Sequence, residues 1–376
     1  MSAAHADTGA AERIMARALE LARLGEGRTA PNPPVGAVLV RDGIIVGEGY
    51  HPAAGEPHAE IHALRSAGEQ SRGSDLFVTL EPCCHQGRTG PCTEALIAAG
   101  VRRVYYGAVD PNPRVAGKGL QQLLSAGIEV VPAPLADDCR RLIAPFAKFI
   151  NTGRPYVILK AAMTLDGQLA TTTGDSQWIS CEASRTLVHR QRNRVDGILT
   201  GAGTVLADDP RLTVRLPEGG RNPARIVIDG KLRTSLKSLI YAKEPAGRRL
   251  LVTADAMANE RRELFARHGV EILAVPRSGE HLDLGAVMDS LGKCGMQSLL
   301  VEAGGKLNGA LLRAGLVDRL MLFVAPLLLG GSDGRPLFSG TGAARLTDAL
   351  RLSDLQVTPV GDDWLFEGEV SRCLPD

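Results

Sequence analysis

One histidine and two cysteines stand at a spacing that could hold a metal ion. Cys83 and Cys92 follow His58 by 25 and 34 positions, and each cysteine comes directly after a proline. One imidazole and two thiolates suit Zn²⁺, and three protein ligands leave the fourth tetrahedral position to water, as in a catalytic zinc site. Glu60, two residues after His58, offers a carboxylate that can move protons beside that water. These residues predict a hydrolytic metal centre with Glu60 as its catalytic proton carrier.

Other interpretations of the cluster remain open at this level. Cys84 or His85 could complete a closed structural zinc site, although Glu60 would then have no role. Cys84 is otherwise a bystander, because it does not follow a proline. His62 lies one helical turn beyond the first ligand and could face the metal or the core. His51, like His85, is either a substrate contact or a loop residue.

The cluster matches a known signature in outline and departs from it in spacing. His-x-Glu followed by Pro-Cys and a second cysteine is typical of zinc deaminases, in which hydroxide attacks an amidine carbon and the glutamate carries protons to the departing ammonia. Two residues usually separate the cysteines, whereas eight lie between Cys83 and Cys92. Cys92 is expected at a helix N-terminus, whose free N–H groups favour the ionised thiolate.

The elements that must position these residues alternate between helix and strand. The pattern predicts helices over 11–24, 58–67, 92–99 and 120–126, and strands over 37–40, 44–46, 76–80, 103–108 and 128–131. Asp42-Gly43 predicts a tight hairpin between the first two strands. This alternation indicates a layered α/β sandwich.

A second α/β domain is expected after a break near residue 150, which places the domains at 1–150 and 151–376. The apolar run 320–329 is too short to span a membrane and predicts a buried strand. Two glycine-rich turns, 201–204 and 304–306, could bind a phosphate through backbone N–H groups or could be plain connections. Further strands are expected over 156–159, 197–200, 225–229, 250–253, 270–275, 298–302 and 319–324, and helices over 182–192, 260–267, 284–291 and 307–314.

Composition excludes several classes of partner. The 376 residues include 43 Lys and Arg against 42 Asp and Glu, a net charge of +1. Neither this balance nor the low aromatic content, 4%, suits a nucleic-acid surface, and no segment suits a membrane. The start of the sequence does not resemble a secretory signal, and seven cysteines, an odd number, favour reduced thiols, so a cytoplasmic location is expected. The sequence does not determine the oligomeric state, and a homo-oligomer is compatible with it.

Motifs along nearly the whole chain resemble one family, the bifunctional riboflavin-biosynthesis deaminase/reductases. The eight-residue gap between the cysteines is similar to what this family has, whereas Cys84 stands where serine is expected. The motifs that carry the resemblance are 31–36 (PNPPVG), 47–51 (GEGYH), 55–60 (GEPHAE), 79–83 (TLEPC), 87–92 (GRTGPC), 110–113 (DPNP), 165–167 (LDG), 176–179 (SQWI), 204–210 (TVLADDP) and 301–305 (VEAGG).

The resemblance implies a cytidine-deaminase-like α/β/α sandwich followed by a dihydrofolate-reductase-like α/β domain. The first domain would use Zn²⁺ to deaminate a diamino-hydroxy-phosphoribosylamino-pyrimidine, and the second would use NADPH to reduce the ribosyl group of the product to ribityl. The zinc ligands would be His58, Cys83 and Cys92, with Glu60 as proton carrier. The two rival hypotheses are a single-activity zinc deaminase and a nucleic-acid editing deaminase with an accessory domain.

The resemblance also implies residues for the reductase site, whose substrate is a phosphate monoester and needs a cationic pocket. Arg192 could otherwise be solvated surface. Lys160 and Asp208 are the candidate proton donors for the reduction. The implied cofactor contacts are Ala162, Trp178, Thr204, Asp208, Gly304, Gly305, Lys306, Leu307, Asn308, Gly309 and Ala310, and the implied substrate contacts are Ser176, Arg192, Leu212, Arg215 and Glu302.

Overall fold

The computed structural model describes residues 8–86, 90–113, 115–257 and 259–372. Its internal contacts divide the chain into two compact units between Gly153 and Arg154. This division lies three residues beyond the boundary expected at 150.

The first unit is built around a sheet in the order β2-β1-β3-β4-β5. β1 pairs antiparallel with β2 and β3, whereas β3, β4 and β5 are parallel. Its elements are α1 (Thr8–Arg23), β1 (Gly36–Arg41), β2 (Ile44–Tyr50), α2 (Ala59–Ala67), β3 (Asp75–Leu80), α3 (Cys92–Ala99), β4 (Arg103–Ala108), α4 (Lys118–Ser125), β5 (Glu129–Pro132), α5 (Ala136–Leu142) and α6 (Ala144–Thr152).

Helices cover both faces of this sheet, and each face has its own core. Met15 of α1 and Cys139 of α5 belong to one apolar cluster, and Ala63 of α2, Leu96 of α3 and Leu123 of α4 belong to the other. The predicted three-layer sandwich is therefore confirmed. α5 and α6 were not predicted: α5 has seven residues and few apolar positions to show a period, and α6 spans the break that was expected near residue 150.

Two details of the first unit explain how the sequence sets its geometry. Asp42 and Gly43 have φ of 52° and 78°, the left-handed pair that the predicted hairpin requires. α2 packs closely on β2, because a Cβ at Gly49 would lie 2.4 Å from the Ala59 oxygen and one at Gly47 would lie 2.3 Å from the Ala63 oxygen. Only glycine allows the helix that follows His58 to approach the sheet this closely.

The second unit contains a sheet in the order β11-β10-β9-β8-β14-β6-β15-β18-β17. Its elements are β6 (Tyr156–Thr164), β7 (Gln168–Ala170), α7 (Glu182–Arg194), β8 (Gly197–Gly201), α8 (Ala202–Asp208), β9 (Ala224–Ile228), β10 (Arg249–Ala254), α9 (Asn259–Arg267), β11 (Glu271–Val275), β12 (Arg277–Ser278), β13 (His281–Leu282), α10 (Leu284–Lys293), β14 (Ser298–Val301), α11 (Gly305–Arg313), β15 (Arg319–Ala325), β16 (Arg335–Pro336), β17 (Leu350–Val360) and β18 (Asp363–Arg372).

The first seven strands in this order are parallel to one another. The β17–β18 hairpin adds two antiparallel strands beside β15. The prediction of a single buried strand over 320–329 is wrong. β15 ends at Ala325, before Pro326, and Leu328 is 71% exposed. β17 and β18 were not predicted, because β17 is exposed along most of its length and lacks a buried apolar face.

At the centre of the parallel sheet, β6, β14 and β8 are neighbours, and their carboxyl ends lie side by side. Val301 of β14 lies in register with Leu159 of β6 on one side and Leu199 of β8 on the other. Glu302, which follows Val301, and the α8 start that follows Gly201 therefore lie at the same carboxyl end of the sheet as the end of β6. In open α/β sheets, the carboxyl ends of adjacent parallel strands form the usual ligand crevice.

Candidate active sites

His58, Cys83 and Cys92 meet in the first unit. Their ligand atoms all lie within 4.8 Å of one another. The Nδ1 atom of His58 is 3.5 Å from the Cys83 sulfur and 3.4 Å from the Cys92 sulfur. This is the one group of three His, Cys, Asp or Glu residues with metal-binding spacing in the part of the chain that the structure describes.

Each ligand is placed by the end of an element. His58 is the N-cap of α2, Cys83 lies three residues after β3 ends, and Cys92 is the first residue of α3. The Cys92 backbone N–H donates to the Cys83 sulfur at 3.4 Å, so the N-terminus of α3 stabilises a negative charge on that sulfur. The eight-residue gap between the cysteines thus still brings both sulfurs to one point.

The Glu60 carboxylate lies in the first turn of α2 and is almost fully buried, at 3% exposure. Its Oε2 atom has no hydrogen-bond partner among the described residues. Burial raises the pKa of Glu60 to about 7, the neighbouring Cys83 adds to this rise, and His58 opposes it. An imidazole, two thiols and a buried carboxylate with a free oxygen fit a zinc ion that carries a water molecule.

The hydrogen bond between the two thiols shifts their pKa values in opposite directions. The hydrogen bond with Cys92 lowers the pKa of Cys83, and His58 adds to this effect. The same hydrogen bond, together with burial, raises the pKa of Cys92. Cys92 is the first residue of α3, as predicted, and its backbone N–H points to the Cys83 sulfur.

The neighbouring histidines and Cys84 lie outside this group of ligand atoms. The ring of His51 is buried and hydrogen-bonds through its two nitrogens to the Pro57 oxygen and the Asn32 side chain, both at 3.1 Å. His62 Nε2 is buried without a hydrogen-bond partner among the described residues. Residues 87–89 of the 87–92 motif lie outside the described residues.

Glu81 has a role that the sequence analysis did not identify. Its buried carboxylate accepts hydrogen bonds from four backbone N–H groups, those of Asp110, Gly117, Gly119 and Leu120, at 2.8 to 3.4 Å. These bonds fix the segment that leads from β3 to Cys83 against the loop before α4. The 79–83 and 110–113 motifs are therefore parts of one structural connection.

A buried ion-pair cluster lies at the crevice of the second unit. Glu302 forms a bidentate pair with Arg192 at 2.6 and 2.9 Å, and the Lys160 Nζ atom lies 3.9 Å from Glu302. Burial opposes the ionisation of Glu302, but Arg192 and Lys160 more than offset this and lower its pKa to about 2. Burial lowers the pKa of Lys160. Arg192 is 8% exposed, so its interpretation as solvated surface is wrong.

The loop after α8 is attached to α7 beside this cluster. Arg192 donates to the Thr213 oxygen at 3.0 Å, and the Arg215 backbone N–H donates to His189 Nδ1 at 3.2 Å. Leu212 is buried and adopts a φ of 47°. Arg192 and Leu212 thus support the loop, whereas the Arg215 side chain makes a single weak contact, 3.3 Å from the Thr213 hydroxyl.

The residues expected to bind the cofactor include two glycines with a packing role. A Cβ at Gly305 would lie 2.3 Å from the Pro336 oxygen, and one at Gly309 would lie 2.2 Å from the Ser339 oxygen. Asn308 is buried, and its amide donates to the Ala303 and Leu337 oxygens. These residues therefore hold α11 against the 336–339 segment.

The other expected cofactor positions lie at the surface of the second unit. A Cβ at Gly304, the N-cap of α11, would be 3.9 Å from the Thr204 hydroxyl, so the two glycine-rich turns are adjacent. Trp178 is 66% exposed and stacks on Arg185, whose guanidinium carbon is 4.7 Å from the ring centre. The other cofactor positions, all exposed or half-buried, are Ala162, Asp208, Lys306, Leu307 and Ala310, and the expected substrate contact Ser176 is also half-buried.

Comparison with known proteins identifies the family. Residues 9–108 match the family model of the cytidine and deoxycytidylate deaminase zinc-binding region, and residues 155–366 match that of the RibD C-terminal domain. The riboflavin biosynthesis protein RibD of Escherichia coli strain K12 is 46% identical over 364 residues, covering 94% of this chain and 97% of that protein. The chain belongs to the RibD family.

Solved RibD structures share the whole fold. An Acinetobacter baumannii RibD structure is similar with a TM-score of 0.83 and 38% identity, covering 97% of this chain and 99% of that chain. A Thermotoga maritima structure, described as a diaminohydroxyphosphoribosylaminopyrimidine deaminase/5-amino-6-(5-phosphoribosylamino)uracil reductase, has a TM-score of 0.82 and 36% identity, with coverages of 97% and 99%. The predicted pair of fold classes is confirmed.

Membership of the RibD family settles the class of function. The chain is a bifunctional enzyme of riboflavin biosynthesis, with a zinc-binding deaminase domain followed by a reductase domain. The hypotheses of a single-activity deaminase and of a nucleic-acid editing enzyme are therefore wrong. Among the described residues, no helix combines the length and the apolar character needed to cross a bilayer.

Proposed function

We propose that the first domain deaminates 2,5-diamino-6-(5-phosphoribosylamino)pyrimidin-4-one, and that the second uses NADPH to reduce the ribosyl group of 5-amino-6-(5-phosphoribosylamino)uracil to ribityl. The observation that carries the first half is the convergence of His58, Cys83 and Cys92 beside the buried carboxylate of Glu60, whose Oε2 atom has no hydrogen-bond partner among the described residues. A cytoplasmic location suits free thiols in this cluster.

In the deamination, Glu60 is the group that moves protons. His58, Cys83 and Cys92 would hold a zinc ion, which would supply an acidified water molecule as the nucleophile near neutral pH. Glu60 accepts a proton at its carboxylate and delivers a proton to the amino nitrogen, which leaves as ammonia when its bond to the ring carbon breaks. A pKa near 7 suits both transfers, because the carboxyl group can then accept and release protons at similar cost.

In the reduction, the ion-pair cluster orients the substrate and supplies a proton. NADPH, when bound along Thr204 and the Gly304 turn, provides the hydride for the ribosyl carbon. Lys160 is the better candidate for the proton donor, since it is buried beside Glu302 and burial lowers its pKa. Arg215 is the group proposed to bind the substrate phosphate, because Glu302 occupies the guanidinium fork of Arg192.

Adjacent cysteines give a matched test of the deaminase half. Cys83→Ser should lose bound zinc and ammonia release, whereas Cys84→Ser should keep both, since Cys84 lies outside the ligand group. Both variants should oxidise NADPH when given the deaminated product. Full zinc content in Cys83→Ser, or its loss in Cys84→Ser, would contradict the proposed ligand set.

A second pair of variants tests the reductase half. Lys160→Gln should lower the reductase kcat by about 10²-fold or more, while Asp208→Asn keeps most of it. The opposite ranking would assign the proton donor to Asp208. A wild-type chain that binds no NADPH would contradict the proposed reduction as a whole.

A further inference from the structure

The start of α7 is capped by a residue from the distant C-terminal hairpin. The N-cap residue of α7, Cys181, makes no side-chain capping hydrogen bond of its own. Asp363 supplies the cap instead: its Oδ2 atom accepts the Cys181 backbone N–H at 2.8 Å and the Ser184 hydroxyl at 2.6 Å. Asp363 is 2% exposed and Ser184 is fully buried. The carboxylate thus satisfies one backbone N–H at the start of the helix, and its negative charge interacts favourably with the positive end of the helix dipole.

The tip of the hairpin is shaped to reach this position. β17 and β18 are joined by Gly361 and Asp362, and Gly361 has a φ of 60°. A Cβ at Gly361 would lie 2.9 Å from the Cys181 sulfur, so a larger residue would have to displace that thiol in addition to adopting the left-handed φ. The Cys181 thiol donates in turn to the Val360 oxygen at 3.1 Å. Two sets of contacts, at Asp363 and at the turn, therefore join the hairpin to the start of α7.

The capped helix start lies between two parts of the proposed reductase site. Ser176 and Trp178 stand just before it, and Arg185 in the first turn stacks on Trp178 and donates to the Ser180 oxygen at 2.5 Å. Further along α7, Arg192 pairs with Glu302. A shift of the helix start would therefore displace the segment that carries Ser176 and Trp178.

We propose that Asp363 is a positioning residue of the reductase site, which caps α7 from the C-terminal hairpin and so fixes the 176–180 segment for cofactor and substrate. The inference rests on the proposed reductase function. It predicts that cofactor and substrate binding depend more on the Oδ2 hydrogen-bond acceptor of Asp363 than on its negative charge, because this one oxygen accepts both hydrogen bonds.

Three variants of the full-length enzyme test this role. Asp363→Ala removes the acceptor, Asp363→Asn keeps one oxygen that can take its place, and Asp362→Ala is the matched control at the exposed neighbouring position. NADPH affinity is measured by isothermal titration calorimetry, and KM and kcat of the reductase are measured separately. Ammonia release by the deaminase domain of the same chain serves as the internal control.

We expect Asp363→Ala to weaken NADPH binding and to raise the substrate KM by about tenfold each, with a much smaller change in kcat; tenfold corresponds to about 1.4 kcal/mol. Asp363→Asn should restore most of the affinity, and Asp362→Ala should behave as wild type. Unchanged NADPH affinity and KM in a folded Asp363→Ala protein would overturn the proposal, as would a loss of kcat alone.

A second variant covers a failure of Asp363→Ala to fold. Ser184→Ala removes one of the two hydrogen bonds and should give an intermediate loss of NADPH affinity; wild-type affinity in that variant would overturn the proposal. If the proposed reductase function itself were wrong, the wild-type chain would bind no NADPH at all. That result is distinct from a wrong role of Asp363, in which the wild type binds NADPH and the variants bind it equally well.

Discussion

Glu60 combines two properties that a proton carrier needs, a position beside the metal ligands and a pKa close to neutrality. Both follow from its place in the first turn of α2, directly after His58 and inside the fold. Burial is the main cause of its raised pKa. Its Oε2 atom has no hydrogen-bond partner among the described residues, so it can contact a water or substrate atom.

Replacing Glu60 by Gln should separate metal binding from catalysis. Glu60→Gln keeps the shape of the side chain but cannot carry a proton, so ammonia release should fall by about 10²- to 10⁴-fold. Zinc content, measured by atomic absorption, should stay at the wild-type level. A loss of zinc in this variant would instead show that Glu60 is a metal ligand.

His189 should make the stability of the second unit depend on pH. Burial, Arg192 and Arg215 lower its pKa from 6.5 to about 4. The unfolded chain therefore binds more protons between these values, so the stabilisation is present above pH 6.5 and is lost as the pH falls toward 4. In His189→Asn, whose Oδ1 can still accept the Arg215 N–H, the free energy of unfolding should fall less steeply across this window. Urea unfolding at several pH values gives the unfolding free energy of both proteins. The same dependence on pH in wild type and His189→Asn would contradict this role of His189.

At this scale, the sequence predicted residues whose chemistry appears in their type and spacing. His58, Cys83, Cys92 and Glu60 were found in this way because their side chains are the signal. Glu81, His189 and Asp363 act through hydrogen bonds to residues 26 or more positions away along the chain. No local pattern marks such residues, since the partner is fixed only by the fold.

At the scale of elements, α11 is placed by close packing as much as by its own helical preference. Gly305 and Gly309 face the oxygens of the 336–339 segment at distances that exclude any side chain. From the sequence, this glycine-rich turn was either a phosphate-binding turn or a plain connection, and neither interpretation included close packing. Packing against a segment that begins over twenty residues later could not be predicted from the turn itself.

Gly309→Ala should therefore destabilise the protein, whereas Gly203→Ala in α8 should not. The new Cβ at 309 meets a backbone oxygen at 2.2 Å, which should cost about 1–3 kcal/mol of unfolding free energy. A methyl group at position 203 would meet nothing within 4 Å outside its own helix, and alanine is the better helix former. Urea midpoints of both variants give the comparison, and equal midpoints would show that α11 can shift without cost.

Element prediction succeeded where apolar periodicity was strong and failed where it was weak. α2, α3 and the β1–β2 hairpin begin and end within a few residues of the expected positions. By contrast, α5 has only seven residues, α6 spans the break expected near residue 150, and the β17–β18 hairpin is largely exposed on β17. That hairpin carries Asp363, so its omission also hid the cap of α7.

At the scale of the whole molecule, each unit has its own core. The apolar clusters of the first unit draw on residues up to 143, and the large cluster of the second unit draws on residues after 156. Chains of 153 and 223 residues are within the normal size of independently folding domains.

The two units should therefore fold when expressed separately, as residues 1–153 and 154–376. The first should bind zinc and release ammonia from the diaminopyrimidine, and the second should oxidise NADPH with the deaminated product. Circular dichroism and cooperative urea unfolding check the fold of each. An insoluble or non-cooperative second unit would show that its core depends on the first.

The most direct test of the account follows both reactions in the full-length enzyme after zinc is removed by a chelator. With the diaminopyrimidine phosphate as substrate, the intact enzyme should release ammonia and then oxidise NADPH, and the metal-free enzyme should do neither. With the deaminated product, the metal-free enzyme should still oxidise NADPH at the rate of the intact enzyme. Ammonia release at an undiminished rate without zinc would contradict the assignment of His58, Cys83, Cys92 and Glu60 as the hydrolytic centre.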